Sequence, residues 1–178
     1  MNNQRQMTLA ENIPDNSYSA LMVRDVMGDY HLASYEQIIE TAQGILRDQM
    51  HHAGLPLDNP KVVKTYLQCR MARLDHEVCW VLFVDSQYRL IEDQRMFRGT
   101  LSQASVYPRE IVKESLRLNA AAIILSHNHP SGCPEASAAD RNLTAHLKSA
   151  LALVDVRLLD HIIVAGEKTL SFAESGIL

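Results

Sequence analysis

The stretch with the clearest chemical potential is Ser126-His127-Asn128-His129-Pro130, at the carboxyl end of the apolar run Ala121 to Leu125. Alternate side chains of an extended strand share a face, so His127 and His129 project together and Asn128 points away from them. Two imidazoles so placed can converge on one ion at about 2.0 to 2.1 Å each. The next residues, Pro130-Ser131-Gly132-Cys133-Pro134, have the Pro and Gly content to turn the chain sharply and bring a helix back. Asp140 lies eleven residues after His129, in the first turn of that returning helix. Its carboxylate is suited to be a third ligand, leaving a fourth position open for water as catalytic zinc sites require. Ser137 and Asp140 also read as an ordinary N-cap and a carboxylate favourable to the helix dipole. The conjunction of a paired HxH, a tight turn and an acid at the helix start favours the metal.

Hydrolysis at such a metal moves protons, and a carboxylate outside the coordination sphere is the usual acceptor. Glu77 opens the stretch HEVCWVLFVD, a charged residue at the lip of an apolar element. It reads either as that acceptor or as an ordinary solvated strand-end acid, and the spacing leaves both open.

The elements that must position these groups follow from periodicity. Residues 1 to about 33 are polar with little pattern and read as a loosely structured arm. Ser34 to Gln37 matches a capping box, and Ile38, Ile39, Ala42, Ile45, Leu46 and Met50 recur at helical spacing. Asn59-Pro60 opens a second helix carrying Val62, Val63, Tyr66, Leu67 and Met71. From Glu77 the residues become β-branched and aromatic and apolar on both faces, as in a central strand. Asp85-Ser86-Gln87 is a turn, and Arg89 to Arg98 returns as a strand. Pro108 to Leu118 is a helix with Ile111, Val112, Leu116 and Leu118 inward. AAIILSHNH is a further buried strand. Ser137 opens a helix whose Leu143, Leu147 and Leu151 repeat every four residues, and VRLLDHIIVAG with LSFAES forms a closing hairpin about Gly166-Glu167. The expected class is α/β or α+β, a mixed β-sheet flanked by helices, with an N-terminal helical extension over residues 1–72 and the metal-binding domain over 73–178.

Composition narrows the function. At 178 residues the chain has room for one ordinary domain plus an extension. Hydrophobic content of 47% and charged content of 21% are ordinary for globular proteins and exclude extensive disorder. No apolar run approaches the roughly 20 residues of a membrane span, and the first residues lack the form of a secretory signal, so a cytoplasmic location is expected. A formal charge of -4, with Lys and Arg scattered, argues against a protein built to neutralise phosphates. Three cysteines (Cys69, Cys79 and Cys133) without a CxxC pair exclude a disulfide framework and an all-cysteine zinc site.

Together Glu77, His127-x-His129-Pro130 and Ser137-x-x-Asp140 resemble the JAMM signature of the JAB/MPN metalloprotease-like superfamily. The closer similarity is to its bacterial RadC-like branch, carried by FRGTLSQASVYPREIVKESLRLNAAAIILSHNHPSG, residues 97–132, and extending from about Arg73 to the carboxyl terminus. The resemblance implies an MPN/JAB-like fold and one Zn²⁺ held by His127, His129 and Asp140. It implies Glu77 as the base acting on metal-activated water and Ser137 as donor to the oxyanion, in hydrolysis of a peptide or isopeptide bond of an unidentified protein substrate.

Two departures from the branch stand out. Full-length RadC-like proteins usually carry helix-hairpin-helix elements ahead of this domain, and their glycine-containing hairpins are not seen in residues 1–72, which weakens a DNA-binding inference. Cys133 stands where an aspartate is common, either as an inert loop residue or as a thiolate in the fourth metal position. The alternative to an enzyme is a non-catalytic, metal-stabilised scaffold in DNA-repair or mobile-element complexes. An HNH nuclease is a poor reading, because its residues come from separate elements. A zinc deaminase would need HxE followed by PCxxC.

Overall fold

A computed structural model of the protein describes residues 21–52, 57, 59–98 and 106–178. Residues 1–20 of the expected arm and residues 99–105 of the RadC-like stretch lie outside the described residues. The chain divides into two compact units, residues 1–40 and 41–178. In the first, β1 (Met22–Arg24) and β2 (Tyr30–Leu32) form an antiparallel hairpin where the sequence reading expected a loose arm. Three-residue strands are too short to show an alternation. The turn is held by Asp25, whose Oδ1 accepts from the amides of Met27 and Asp29 at 2.9 Å each, and by Gly28 at φ +95°. The expected capping box opens α1 (Tyr35–His52): Ser34 N donates to Gln37 Oε1 at 2.9 Å, and Gln37 N to Ser34 Oγ at 3.2 Å.

The second unit is built on a five-stranded mixed sheet flanked by helices. After α2 (Pro60–Met71), capped by the Asn59 side chain, come β3 (Val78–Val84), β4 (Leu90–Arg98) and α3 (Pro108–Arg117). They are followed by β5 (Ala122–Asn128), α4 (Ala138–Ala152), β6 (Arg157–Ala165) and β7 (Lys168–Ser171). The sheet order is β4-β3-β5-β6-β7, with β5 and β6 parallel and the other neighbours antiparallel.

Helices on both faces explain why the central strands are apolar throughout. One face carries Cys79, Val81, Phe83, Ile123, Leu125 and Leu158 against Ile111 of α3 and Leu147 and Leu151 of α4. The other carries Leu82, Ile124, Ile162 and Val164 against Met50 of α1 and Val63, Tyr66, Leu67 and Met71 of α2. Each such aliphatic or aromatic side chain contributes about 1.5–3 kcal/mol on full burial. The helices on this second face are also tied by buried Asp93 of β4. Its Oδ2 accepts from Tyr66 Oη at 2.6 Å and Trp80 Nε1 at 3.0 Å, and its Oδ1 lies 3.3 Å from Arg47 Nε. Burial and the Asp93 acceptor push the Tyr66 phenol up from its ordinary pKa.

One expected inward position in α3 is wrong. Leu116 is 56% exposed, and Ser115 is buried instead, its hydroxyl donating to Ile111 O at 2.8 Å. Helical phase explains the exchange. Positions 111 and 115 stack on one face, whereas 116 is rotated well off it.

Candidate metal centre

The centre forms where β5 ends on the α3/α4 side of the sheet. All seven residues of β5 are buried, and His127 lies on the same face as Ile123 and Leu125. His129, one residue past the strand, is fixed by its amide donating to Val164 O at 2.8 Å. The chain then turns over Pro130-Ser131, closed by Gly132 N donating to His129 O at 3.0 Å, with Gly132 at φ +74°, where glycine is the unstrained residue. That turn delivers Ser137 and Asp140 at the start of α4.

The Nε2 atoms of His127 and His129 face each other at 2.9 Å, and Asp140 brings Oδ1 to 3.2 Å from His127 Nε2 and Oδ2 to 3.7 Å from His129 Nε2. These three residues form the one metal-capable group among the described residues, their ligand atoms all within 4.8 Å of one another. Neighbouring ligands of a tetrahedral zinc with bonds of 2.0–2.1 Å stand about 3.3 Å apart, so the donor set fits that ion. Asp140 Oδ1 is buried and accepts no hydrogen bond, a lone pair left for something other than a protein donor.

Ser137 and Asp140 form a reciprocal capping box. Asp140 N donates to Ser137 Oγ at 3.1 Å, and Asp140 Oδ2 accepts from Ser137 N at 2.8 Å and from Ser137 Oγ at 2.6 Å. The cap and the outer support of the ligand are therefore one device. Cys133 is exposed and outside the metal-capable group; its carbonyl, rather than its thiol, reaches the site, lying 2.8 Å from His129 Nδ1. Glu77 is half-buried and stands one residue ahead of β3. Glu77 lies two residues ahead of Cys79, which pairs with His127, and so enters the sheet at the end where the ligands gather.

Three participants were not read from the sequence. Asn128 points away from the imidazoles as expected, and it bonds the segment that carries Glu77. His161, wholly buried, places Nε2 2.8 Å from His127 Nδ1 and Nδ1 2.6 Å from Thr144 Oγ1. Burial, with the neighbouring His127 adding in the same direction, pushes His161 well below its ordinary pKa and keeps it neutral. The available signal was a lone histidine inside the apolar strand LLDHIIVA, since a buried imidazole must find partners.

A cavity of about 330 Å³ adjoins the ligand helix, lined by Pro134, Glu135, Ala136, Arg141, Leu170 and Ile177. Among the described residues no helix is long and apolar enough to cross a membrane.

Residues 57–177 match the family model of the RadC-like JAB domain. A UPF0758 protein of Leptothrix cholodnii is 50% identical over 152 residues, covering 85% of this chain and 68% of the relative. One of Methylibium petroleiphilum is 52% identical with the same coverage of each chain. One of Vibrio cholerae is 51% identical over 146 residues, covering 82% of this chain and 91% of the relative. The match over most of the folded unit, together with relatives at half identity, shows that the chain belongs to the RadC-like JAB domain family.

Proposed function

We propose that the chain is a zinc-dependent hydrolase of peptide or isopeptide bonds. The observation that carries this reading is the convergence of two imidazole Nε2 atoms with the buried Asp140 carboxylate, whose Oδ1 accepts no hydrogen bond. Zinc held by His127, His129 and Asp140 would supply a Lewis acid for the carbonyl and a nucleophilic water near neutral pH. Glu77, two residues ahead of the Cys79–His127 pair, is suited to take the proton from that water and return it to the leaving amine. His129 keeps 14% of its side chain exposed while His127 and Asp140 keep 1% each, so the donor set opens to substrate on the His129 side.

A panel of peptide and isopeptide substrates, offered to zinc-loaded wild type and Glu77→Gln, tests the reading. Cleavage by wild type and a loss of about 10²–10⁴-fold in the variant are expected. Equal turnover by both proteins, or no cleavage across the panel, would defeat it. One observation favours a second reading, the non-catalytic metal-stabilised scaffold: the Ser137 hydroxyl spends its single proton on Asp140 rather than facing a reacting oxygen. Zinc binding that stabilises the fold without cleavage of any substrate is the outcome expected of the scaffold.

A further inference from the structure

We infer that His161 is a positioning residue for the metal centre, fixing the tautomer of His127 through a directed hydrogen-bond chain that runs from Thr144 and ties one ligand to another. This rests on His127 and Asp140 being ligands. The direction of the chain follows from counting protons. Thr144 Oγ1 donates to the Asp140 carbonyl at 2.6 Å, four residues back along α4. A hydroxyl has one proton, so toward His161 Nδ1, also at 2.6 Å, it can only accept, and Nδ1 carries the hydrogen. His161 then presents the lone pair of Nε2 to His127, 2.8 Å away, so His127 Nδ1 is the donor. The proton on Nδ1 leaves His127 Nε2 with its lone pair facing His129 and Asp140. His129 reaches the same state by donating from Nδ1 to the Cys133 carbonyl at 2.8 Å.

Four groups thus close a loop: His127, His161, Thr144 and the backbone of Asp140. The His161 ring also packs against Phe172, with ring centroids 4.6 Å apart and planes tilted by 37°. Outer-shell partners of metal-bound histidines are usually carboxylates, carbonyls or water. A neutral imidazole in that place orients the ligand without adding negative charge, so Asp140 is the single anionic member of the donor set.

A strand irregularity puts His161 there. Ile123 pairs with Leu158 but Ile124 pairs with Asp160, leaving Leu159 as an extra residue. Strict alternation from inward-facing Leu158 would send residue 161 to the opposite face; the bulge returns it to the face of Leu125 and His127.

The test uses the full-length chain with two measurements, zinc affinity by competition with a chelator and ring ¹⁵N resonances of the zinc-free protein. In wild type, His127 should carry its proton on Nδ1. His161→Leu should mix the tautomers and weaken zinc binding about 10–100-fold, with His161→Gln, which can both accept and donate, recovering most of the loss. Thr144→Val, nearly isosteric, should weaken binding less and blur the His161 tautomer. A folded His161→Leu that binds zinc within about threefold of wild type, or a wild-type His127 protonated on Nε2, overturns the inference. If His161→Leu does not fold, the wild-type tautomers and Thr144→Val decide. Wild type that binds no zinc sinks the metal reading, and the tautomers of zinc-free protein still test this one.

Discussion

Asn128 grips the backbone on both sides of Glu77. Its Oδ1 accepts from Val78 N at 2.7 Å, and its Nδ2 donates to His76 O at 2.9 Å. The residue between the two histidines, facing away from the metal, thereby fixes where the β3 entry segment lies beside them. Asn128→Ala leaves a buried amide and carbonyl without partners and should cost about 2–4 kcal/mol in denaturant unfolding. Zinc stoichiometry should stay at that of wild type, because both imidazoles keep their own supports. Exchange of the Val78 amide should accelerate in parallel. A variant within about 0.5 kcal/mol of wild type would remove the grip from the account.

Zinc removal should destabilise the protein, because the lone-pair nitrogens of buried His127 and half-buried His129 and a buried carboxylate are left facing one another without a cation. A ligand present at a thousandfold excess over its dissociation constant contributes about 4 kcal/mol. In a chain of this size that corresponds to roughly 8–16 °C in thermal midpoint. Chelation should therefore lower the melting temperature by that order, and restored zinc should recover it. His127→Ala should abolish the response to zinc. Identical melting curves with and without chelator would refute the metal centre.

The cysteines separate by environment. Cys133 is exposed, while Cys79 lies on β3 with 3% exposure, and burial pushes its thiol up to about 12. Under native conditions at mildly alkaline pH, an alkylating reagent should modify Cys133 and spare Cys79, as mass spectrometry of digested protein would show. The same burial has a sign for stability. A folded-state pKa above the unfolded value means the stabilisation is complete below about pH 8.5 and declines above it, as the unfolded chain releases the proton that the folded chain keeps. Between about pH 8.5 and 10 the loss approaches 1.4 kcal/mol per unit, and Cys79→Ala should remove that part of the slope. An unchanged slope in the variant would mean that Cys79 is not the group responsible.

The parts of the centre differ in how far one sequence discloses them. His127 and His129 follow from strand alternation, and Asp140 from a Pro/Gly turn leading into a cap, because each signal is local. His161 is hidden by the bulge at Leu159, which depends on pairing with β5 and leaves no mark on the residues of β6 themselves. Asn128 shows its direction, but its partners stand some fifty residues away across a strand pair. In α3, hydrophobicity suggested Leu116 where helical phase selects Ser115. The hairpin of β1 and β2 depends on Asp25 and Gly28 in its turn rather than on any strand pattern.

Ser137 has two duties that substitution can separate. As a cap, its Oγ accepts from Asp140 N; as a support, the same hydroxyl donates to Asp140 Oδ2. Alanine at an N-cap costs about 1 kcal/mol, whereas glycine costs only a few tenths. Both lack the hydroxyl. If donation to Asp140 matters for the metal, Ser137→Ala and Ser137→Gly should weaken zinc binding alike, by about tenfold, although only the alanine variant loses appreciable stability. Ser137→Thr keeps both bonds and should match wild type in each measurement. Should Ser137→Gly hold zinc as tightly as wild type, the hydroxyl's part is confined to the helix start, and the Asp140 carboxylate is oriented by the backbone amide of residue 137 alone.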